Sequence, residues 1–188
     1  MTEKIIIAIT GASGVLYAKS LFDFLHKRNS ELHLIITKNA NTIMMNELGI
    51  DEDYFRKGNV SLYENSNINV RIASGSFKFH GMVIIPASMG TIGRIANGYS
   101  DDVISRVADV SLKERRRLII VPRETPVNEI HINNMLILSR AGGVILPASP
   151  AFYHKPKDID DVIKFITSKV LNQLGIENDL IPSYAEDI

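Results

Sequence analysis

Apolar residues along the chain alternate between short continuous runs and longer stretches with a helical spacing. Lys4–Thr10 is almost wholly apolar, which is typical of a β-strand buried on both faces. Ser13–Arg28 then places apolar residues three and four positions apart, which predicts an amphipathic helix. The same alternation predicts strands at Leu32–Thr37, Met82–Pro86, Leu118–Val121 and Val144–Leu146, and helices at Asn39–Leu48, Thr91–Asn97, Asp101–Arg116, Val127–Arg140 and Asp158–Leu174.

Boundary signals refine these elements. Ser100 precedes one predicted helix and is expected to be its N-cap, because a serine oxygen can accept a hydrogen bond from a free backbone N–H group. The basic run Arg115–Arg117 is expected at the end of that helix, where cations complement the helix dipole. Asp51–Lys78 is polar and rich in Asn and Ser, so no regular element is predicted there.

Strand and helix in alternation predict an α/β fold, a Rossmann-like three-layer sandwich with a mainly parallel central sheet. The length fits one domain, residues 1–188, and the last helix is predicted to leave residues 176–188 as a C-terminal tail. Ligands of such sheets bind outside the carboxyl ends of the strands. The loops that follow the predicted strands are therefore the places to search for a site.

Composition and charge exclude several classes of function. The chain has 21 Lys and Arg and 21 Asp and Glu, and zero net charge argues against a nucleic-acid partner. It has no Cys, which excludes disulfides, thiolate nucleophiles and zinc–thiolate sites. The five His are scattered, so no metal site is predicted, and His26, His33 and His80 are interpreted as surface or filler residues.

The apolar runs are also too short for a membrane protein. They fall far below the length of about 18 residues that a membrane span requires, so no membrane partner is expected. The turn Thr10–Gly14 interrupts the first apolar stretch, which argues against a secretory signal peptide. A cytoplasmic protein is the expectation.

Two of the loops at predicted strand ends are built from small and hydroxyl-bearing residues. Thr10–Gly14 follows the first strand and leads into a helix, whose free N–H groups suit an anion. It is neither a dinucleotide fingerprint nor a Walker A loop, and a simple tight turn remains an alternative. Pro86–Thr91 follows the third predicted strand in the same way. Hydroxyl and amide groups of this kind suit a phosphate.

Two further loops carry charge and aromatic rings. Pro122–Pro126 holds Arg123 and Glu124 between prolines, and Pro147–Pro156 is a stiff loop with Phe152 and Tyr153. Together the four loops predict a site for a mononucleotide or another phosphorylated ligand with an apolar portion. Spacing alone gives two other features a simpler interpretation. Four charged residues spaced as on one face of a helix are typical of a solvated ion-pair face; they are Asp102, Arg106, Asp109 and Lys113. The position of Lys169 at the edge of the last helix's apolar stripe is typical of a surface lysine.

The loop motifs, taken together, resemble those of the UbiX-type flavin prenyltransferases. The resemblance covers nearly the whole chain, with the motifs in the same order. They are Thr10-Gly11-Ala12-Ser13-Gly14, Ser88-Met89-x-Thr91, Ile95-Ala96-Asn97-Gly98, Ala108-Asp109-Val110-x-Leu112-Lys113-Glu114-Arg115-Arg116, Val121-Pro122-Arg123-Glu124-Thr125-Pro126 and Pro147-Ala148-Ser149-Pro150-Ala151-Phe152-Tyr153-His154.

The resemblance implies a flavoprotein fold and a specific reaction. Members transfer a dimethylallyl group from dimethylallyl phosphate to N5 and C6 of reduced FMN. The product, prenylated FMN, is the cofactor of UbiD-type decarboxylases. Members need no metal ion, and they assemble as homo-dodecamers whose active sites are shared between subunits.

The resemblance also implies roles for individual residues. The matches to FMN-binding positions are Gly11, Ala12, Ser13, Thr37, Ser88, Met89, Gly90, Thr91 and Arg123. Tyr153 and Lys169 match contacts of dimethylallyl phosphate, and Arg106 and Lys113 match further basic residues near its phosphate. Glu124 matches a carboxylate proposed to transfer a proton, and Ser13 matches a hydroxyl that relays a proton to the leaving phosphate.

This chain departs from the family pattern at two positions. Members often have lysine in place of Gly90 and arginine in place of Lys169. The alternatives that remain are an FMN-dependent cysteine decarboxylase of the related fold and a non-catalytic FMN-binding protein. A direct aromatic-acid decarboxylase is excluded on chemical grounds, because nothing besides the flavin could stabilise an aryl carbanion. The cysteine decarboxylases rely on a Pro-x-Met-Asn motif, and this chain has Pro147–Pro150 at that place.

Overall fold

Six strands, all paired in parallel, form the central sheet of the structure, a computed structural model that describes residues 3–181. The strands are β1 Lys4–Ile9, β2 Glu31–Ile36, β3 Val60–Glu64, β4 Gly81–Ala87, β5 Arg117–Pro122 and β6 Val144–Ile145. The helices are α1 Val15–Lys27, α2 Lys38–Leu48, α3 Met89–Ala96, α4 Val103–Lys113, α5 Glu129–Arg140 and α6 Ile159–Leu174. None of them is long and apolar enough to cross a membrane.

Two hydrophobic clusters hold the helices against the sheet. The first packs α1, α2 and α6 against one face, and the second packs α3, α4 and α5 against the other. The strand β1 lies between them, and its residues Ile5–Ile9 have no exposed surface. Burial on both faces explains why this strand is a continuous apolar run. The predicted three-layer α/β sandwich is confirmed.

The structure corrects three predictions about local elements. Val60–Glu64 forms the edge strand β3 in the segment where no regular element was predicted. Its residues are mostly half-buried, so they lack the apolar run that marks the central strands. The N-cap of α4 is Asp102 rather than Ser100, and its carboxylate accepts a hydrogen bond from the Ser105 N–H group at 2.8 Å. Helix α4 ends at Lys113, so the run Arg115–Arg117 lies in the following turn and at the start of β5.

The order of the strands fixes where a ligand can bind. The sheet runs β3-β2-β1-β4-β5-β6, so the chain moves outward from β1 on one side and from β4 on the other. The loops after β1 and β4 therefore part at this point and leave a crevice at the carboxyl edge of the sheet.

The predicted C-terminal tail is in part a packed segment. Ile176 is 3% exposed, and Leu180 and Ile181 pack against the core cluster that holds α1 and α6. The remainder of that tail, residues 182–188, lies outside the described residues.

His33 is a buried member of a polar network rather than a surface residue. Its ring has no exposed surface and lies 3.0 Å from the Tyr63 hydroxyl through Nδ1 and 3.1 Å from the Glu31 carboxylate through Nε2. The Arg71 guanidinium donates to the same hydroxyl at 3.2 Å. Burial lowers the pKa of His33 because it disfavours the charged ring, although the Glu31 carboxylate opposes the shift.

The lowered pKa of His33 predicts a loss of stability in mild acid. The unfolded state takes up a proton as pH falls below about 6.5, whereas the folded state resists it. The free energy of unfolding is therefore expected to fall by up to about 1.4 kcal/mol per pH unit, until the lowered folded pKa is reached. Urea unfolding between pH 7.5 and 5 measures this slope. A His33→Gln variant should lack this contribution, and equal slopes in the two proteins would contradict the prediction.

Candidate active site

The first loop at the carboxyl edge is a tight turn between β1 and α1. Gly14 has φ +100°, which only glycine adopts without strain. A Cβ at Gly11 would lie 2.8 Å from Cβ of Asn39, so glycine is also required where this loop passes α2. The backbone is thus held close to α2, and the side chain of Ser13 is exposed at the tip of the loop.

Thr10 joins this loop to the second loop across the crevice. Its side-chain hydroxyl donates to the carbonyl of Pro86 at 2.7 Å and accepts from the N–H group of Ser88 at 2.7 Å. Thr10 has no exposed surface, so these bonds are shielded from water. The sequence places Thr10 inside the first motif but does not indicate that its hydroxyl fixes the two loops to each other.

The second loop leads into α3 through a hydroxyl cap. The Ser88 oxygen accepts from the Thr91 N–H group at 3.3 Å and lies 3.0 Å from the Thr91 hydroxyl. Met89 is buried, whereas Gly90 is exposed and a Cβ there would have no neighbour within 4 Å. The start of α3 therefore offers hydroxyls and backbone N–H groups, an arrangement that suits a phosphate.

Thr37 occupies the corresponding position at the end of β2. It is the N-cap of α2, and its hydroxyl oxygen accepts from the N–H group of Ala40 at 3.2 Å. A capping hydroxyl still has a hydrogen to donate, so Thr37 can also donate a hydrogen bond to a ligand oxygen.

Glu47 reaches the start of α1, which the sequence did not indicate. Its carboxylate accepts from the N–H group of Gly14 at 3.0 and 3.2 Å and from that of Val15 at 3.2 Å. The expectation that these N–H groups are free for an anion is therefore wrong. No spacing signal could have found Glu47, because it lies 33 residues beyond Gly14 and only the packing of α2 beside α1 joins them.

The loop after β5 brings Arg123 and Glu124 to the same edge. Nε of Arg123 donates to the carbonyl of Ser13 at 2.9 Å, which ties this loop to the first one. Glu124 is exposed, and its carboxylate accepts from the N–H group of Thr125 at 3.0 Å. Burial raises the pKa of the neighbouring Tyr17, although the Arg123 charge opposes the shift, so Tyr17 is neutral near pH 7.

Tyr153 and Lys169 meet at one aromatic ring. The Tyr153 ring packs edge-on against that of Phe165 with centroids 5.9 Å apart, and Nζ of Lys169 lies 5.2 Å from the centroid of Phe165. Tyr153 comes from the loop after β6, whereas Phe165 and Lys169 lie one turn apart on α6. The structure thus brings together the two residues that the resemblance assigned to dimethylallyl phosphate.

Arg106 lies in the first turn of α4, which begins beside the end of β3 at the carboxyl edge, and Lys113 is the last residue of that helix. Arg106 pairs with Asp109 at 3.0 Å and Lys113 pairs with Glu114 at 2.6 Å. Lys113 ends α4 just before β5 begins, at the amino edge of the sheet, and β5 is about 20 Å long. Within one chain, the structure does not bring Lys113 to the carboxyl edge where the other residues lie.

No metal cluster appears in the described part of the chain. Among residues 3–181, no group of three or more His, Asp or Glu side chains is placed so as to hold a metal ion. The chemistry on offer at the carboxyl edge is that of hydroxyls, backbone N–H groups, two carboxylates, Arg123 and aromatic rings.

The chain is similar to known proteins over nearly its full length. The chain matches the Flavoprotein family model over residues 1–171. It is 51% identical to the flavin prenyltransferase UbiX of Methanocaldococcus jannaschii over 177 residues, which are 94% of this chain and 96% of that protein.

Solved structures agree with the match. A crystal structure of AnUbiX in complex with FMN and dimethylallyl pyrophosphate superposes with a TM-score of 0.94 at 37% identity and covers 98% of both chains. A dodecameric FMN-dependent UbiX-like decarboxylase from Escherichia coli superposes with a TM-score of 0.89 at 38% identity, over 93% of this chain and 96% of that one.

The sequence and structural matches agree with each other and with the loop motifs. They confirm the flavoprotein fold and the resemblance on which the residue assignments rest. The chain belongs to the UbiX flavin prenyltransferase family.

Proposed function

We propose that the protein is a flavin prenyltransferase that moves a dimethylallyl group from dimethylallyl phosphate to N5 and C6 of reduced FMN. The observation that carries the proposal is the 51% identity to a flavin prenyltransferase over 94% of the chain. The loop geometry supports it, because the four matched loops that follow β1, β4, β5 and β6 all lie at the carboxyl edge of the sheet.

The residues at the crevice fit FMN. The close approach of the first loop to α2 at Gly11, the hydroxyl-capped start of α3 and the open space at Gly90 form a polar cradle with room for a phosphate. FMN is the prenyl acceptor, and in its reduced form it supplies the nucleophilic ring atoms. The residues proposed to hold it are Gly11, Ala12, Ser13, Thr37, Ser88, Met89, Gly90, Thr91 and Arg123.

The prenyl donor requires cations around its phosphate and an apolar, water-excluding surface around its carbon chain. Negative charge grows on the phosphate as it leaves, and Lys169, Arg106 and Lys113 are proposed to stabilise that charge. An allylic carbon that becomes electron-poor is stabilised by aromatic faces in a site that excludes water, and Tyr153 is proposed to provide one such face.

Four proton transfers complete the reaction. The flavin loses a proton at N5 when the first bond forms, and the prenyl double bond gains a proton on the carbon next to the one that bonds to C6. The flavin then loses the proton at C6, for which Glu124 is the proposed base. The leaving phosphate must gain a proton, and the exposed hydroxyl of Ser13 is proposed to relay it. Nε of Arg123 binds the Ser13 carbonyl at 2.9 Å, so the loops with the two proton-transfer groups are held together.

An assembly with shared sites accounts for the position of Lys113. We propose a homo-dodecamer in which Arg106 and Lys113 serve the site of a neighbouring subunit. The exposed apolar side chains of α5 support such contacts, since Ile130 is 69% exposed and Ile132, Leu136 and Ile137 are exposed as well. Size-exclusion chromatography with light scattering measures the assembly.

The product defines the partners. Prenylated FMN is proposed to pass to a UbiD-type decarboxylase, and neither nucleic acid nor a membrane is proposed as a partner. The cytoplasm is proposed as the compartment on the sequence pattern alone.

A flavin mass assay tests the reaction. The purified protein is incubated without oxygen with reduced FMN and dimethylallyl phosphate, and the extracted flavin is weighed by mass spectrometry. The expected result is a gain of one five-carbon unit. Bound but unmodified flavin with both the monophosphate and the diphosphate donor would contradict the proposal, and release of CO₂ from a peptidyl cysteine or an aromatic acid would favour a decarboxylase.

Gly90 offers a position at which phosphate binding can be strengthened. A side chain there would meet no atom within 4 Å, so Gly90→Lys is expected to fold and to add a cation near the start of α3. The FMN dissociation constant is expected to fall about threefold to tenfold at low salt and less at high salt. Titration of flavin fluorescence measures it. The control is Gly90→Met, which has similar bulk without charge, and an equal gain in that variant would contradict the electrostatic explanation.

A further inference from the structure

Three aromatic rings form a cluster beside the loop after β6. The His154 ring stacks on Phe165 with an interplanar angle of 9° and centroids 5.5 Å apart. Tyr153 stands nearly perpendicular to both, with centroids 5.7 Å from His154 and 5.9 Å from Phe165. Phe165 is 7% exposed and belongs to the core cluster, so the loop is fixed to the core of the protein through this ring.

His154 contributes to the cluster by stacking of its ring and not by hydrogen bonds of its nitrogens. Both of its nitrogens are buried, and neither has a hydrogen-bond partner among the described residues. Among the described residues, the stacked ring of Phe165 and the edge of Tyr153 pack against the imidazole and orient it. A stack of this kind restricts rotation of Phe165, because the ring cannot turn without displacing its neighbour.

The same ring also orients Lys169. Its ammonium lies 5.2 Å from the centroid of Phe165, within the range of a cation–π interaction. Lys169 is exposed, and a lysine side chain in water samples many rotamers. Contact with a fixed ring favours those rotamers that keep the ammonium beside Phe165, the ring on which Tyr153 also packs.

We propose that Phe165 is a positioning residue that sets the spacing between the Tyr153 hydroxyl and the Lys169 ammonium for the phosphate of the prenyl donor. The inference rests on the proposed function. It also bears on position 169, where this chain has lysine and family members often have arginine. A lysine lacks the planar fork of arginine, so its placement depends more on what restrains the side chain.

A residue that positions Tyr153 and Lys169 is expected to affect both the binding of the donor and the departure of its phosphate. Phe165→Leu keeps an apolar side chain and removes the ring. The dissociation constant of dimethylallyl phosphate for the FMN-loaded protein is expected to rise about fivefold to tenfold. The FMN affinity is expected to stay the same, because Tyr153, His154 and Lys169, which pack on this ring, are not among the residues proposed to hold FMN. The kcat is expected to fall as well, because Lys169 and Tyr153 are also proposed to stabilise charge as the phosphate leaves.

The experiment combines calorimetric titration of the donor with steady-state kinetics. Phe165→Tyr retains the ring and is expected to bind the donor like the wild type. Phe165→Met is a second ring-free variant, used if Phe165→Leu does not fold. Ile166→Val, a change at the adjacent buried position, controls for loss of core packing and is expected to leave donor affinity unchanged.

A double-mutant cycle with Lys169→Gln tests whether Phe165 changes donor affinity through Lys169. If Phe165 acts through Lys169, the loss of donor affinity in the double variant is smaller than the sum of the single losses. Unchanged donor affinity in both ring-free variants, an equal loss in Ile166→Val, or strict additivity would overturn the inference. Failure of the wild type to bind the donor would overturn the proposed function as well. If the wild type turns over the donor normally, the proposed function stands, and the variants then test the role of Phe165 alone.

Discussion

Replacing Glu124 by Gln is expected to reduce flavin prenylation by at least about 100-fold, the usual scale for removal of a general base. The amide has the same shape and can still accept a hydrogen bond from the Thr125 N–H group, as the carboxylate does at 3.0 Å. It cannot take the proton that the flavin must lose. The rate of prenylated-flavin formation, followed by mass spectrometry under anaerobic conditions, measures the effect.

The matched control is Glu129→Gln. Glu129 is also exposed and lies five residues further along, in the first turn of α5, so the substitution removes the same charge outside the proposed site. Its activity is expected to equal that of the wild type. Binding of FMN and of the donor should survive in Glu124→Gln. Full activity in that variant would remove Glu124 from the proton-transfer step.

Replacing Thr10 by Val is expected to weaken both stability and FMN binding. Valine has nearly the same shape, but it cannot accept the hydrogen bond of the Ser88 N–H group or donate to the Pro86 carbonyl, both at 2.7 Å. The loss of this buried pair of bonds is expected to lower the free energy of unfolding by about 1–3 kcal/mol. The two proposed FMN loops lose the side-chain part of their link and keep only the backbone bond from the residue 10 N–H group to the Pro86 carbonyl at 3.3 Å, so FMN affinity is expected to fall about tenfold.

Two controls separate the link between the loops from general destabilisation. Thr10→Ser keeps the hydroxyl and is expected to retain most of the FMN affinity. Thr167→Val removes another buried hydroxyl, one that donates to Ser20 at 2.9 Å, and is expected to lower stability without changing FMN affinity. Wild-type FMN affinity in Thr10→Val would show that Thr10 does not join the two loops in the way that the structure indicates. Urea unfolding and flavin fluorescence titration measure the two quantities.

The unforeseen carboxylate of Glu47 changes the interpretation of the first loop. The start of α1 is neutralised from within the chain, because two of its N–H groups already donate to that carboxylate. We therefore expect a phosphate bound at the crevice to depend on the start of α3 and on Thr37 rather than on α1. This placement gives the second loop, and the link through Thr10, more weight in FMN binding than the motif alone indicates.

Local sequence determined the layered fold and the loops that carry the chemistry. A strand buried on both faces must be apolar throughout, and an amphipathic helix must repeat every three to four residues, so β1 and α6 are visible without a structure. Glycine is required at Gly14 for a backbone reason, and the motif marks it directly. The strand β3 was missed because an edge strand with half-buried residues lacks that signal.

Only the tertiary structure decided which distant residues meet. Glu47 at the start of α1 and Thr10 between two loops make contacts between elements far apart in the chain, and the loop after β6 folds so that Tyr153 packs on Phe165 of α6. Periodicity describes how one segment is buried, whereas these contacts depend on how helices and loops are placed on the sheet. The same placement separates Lys113 from the carboxyl edge by the length of a strand, a fact that no spacing in the sequence contains.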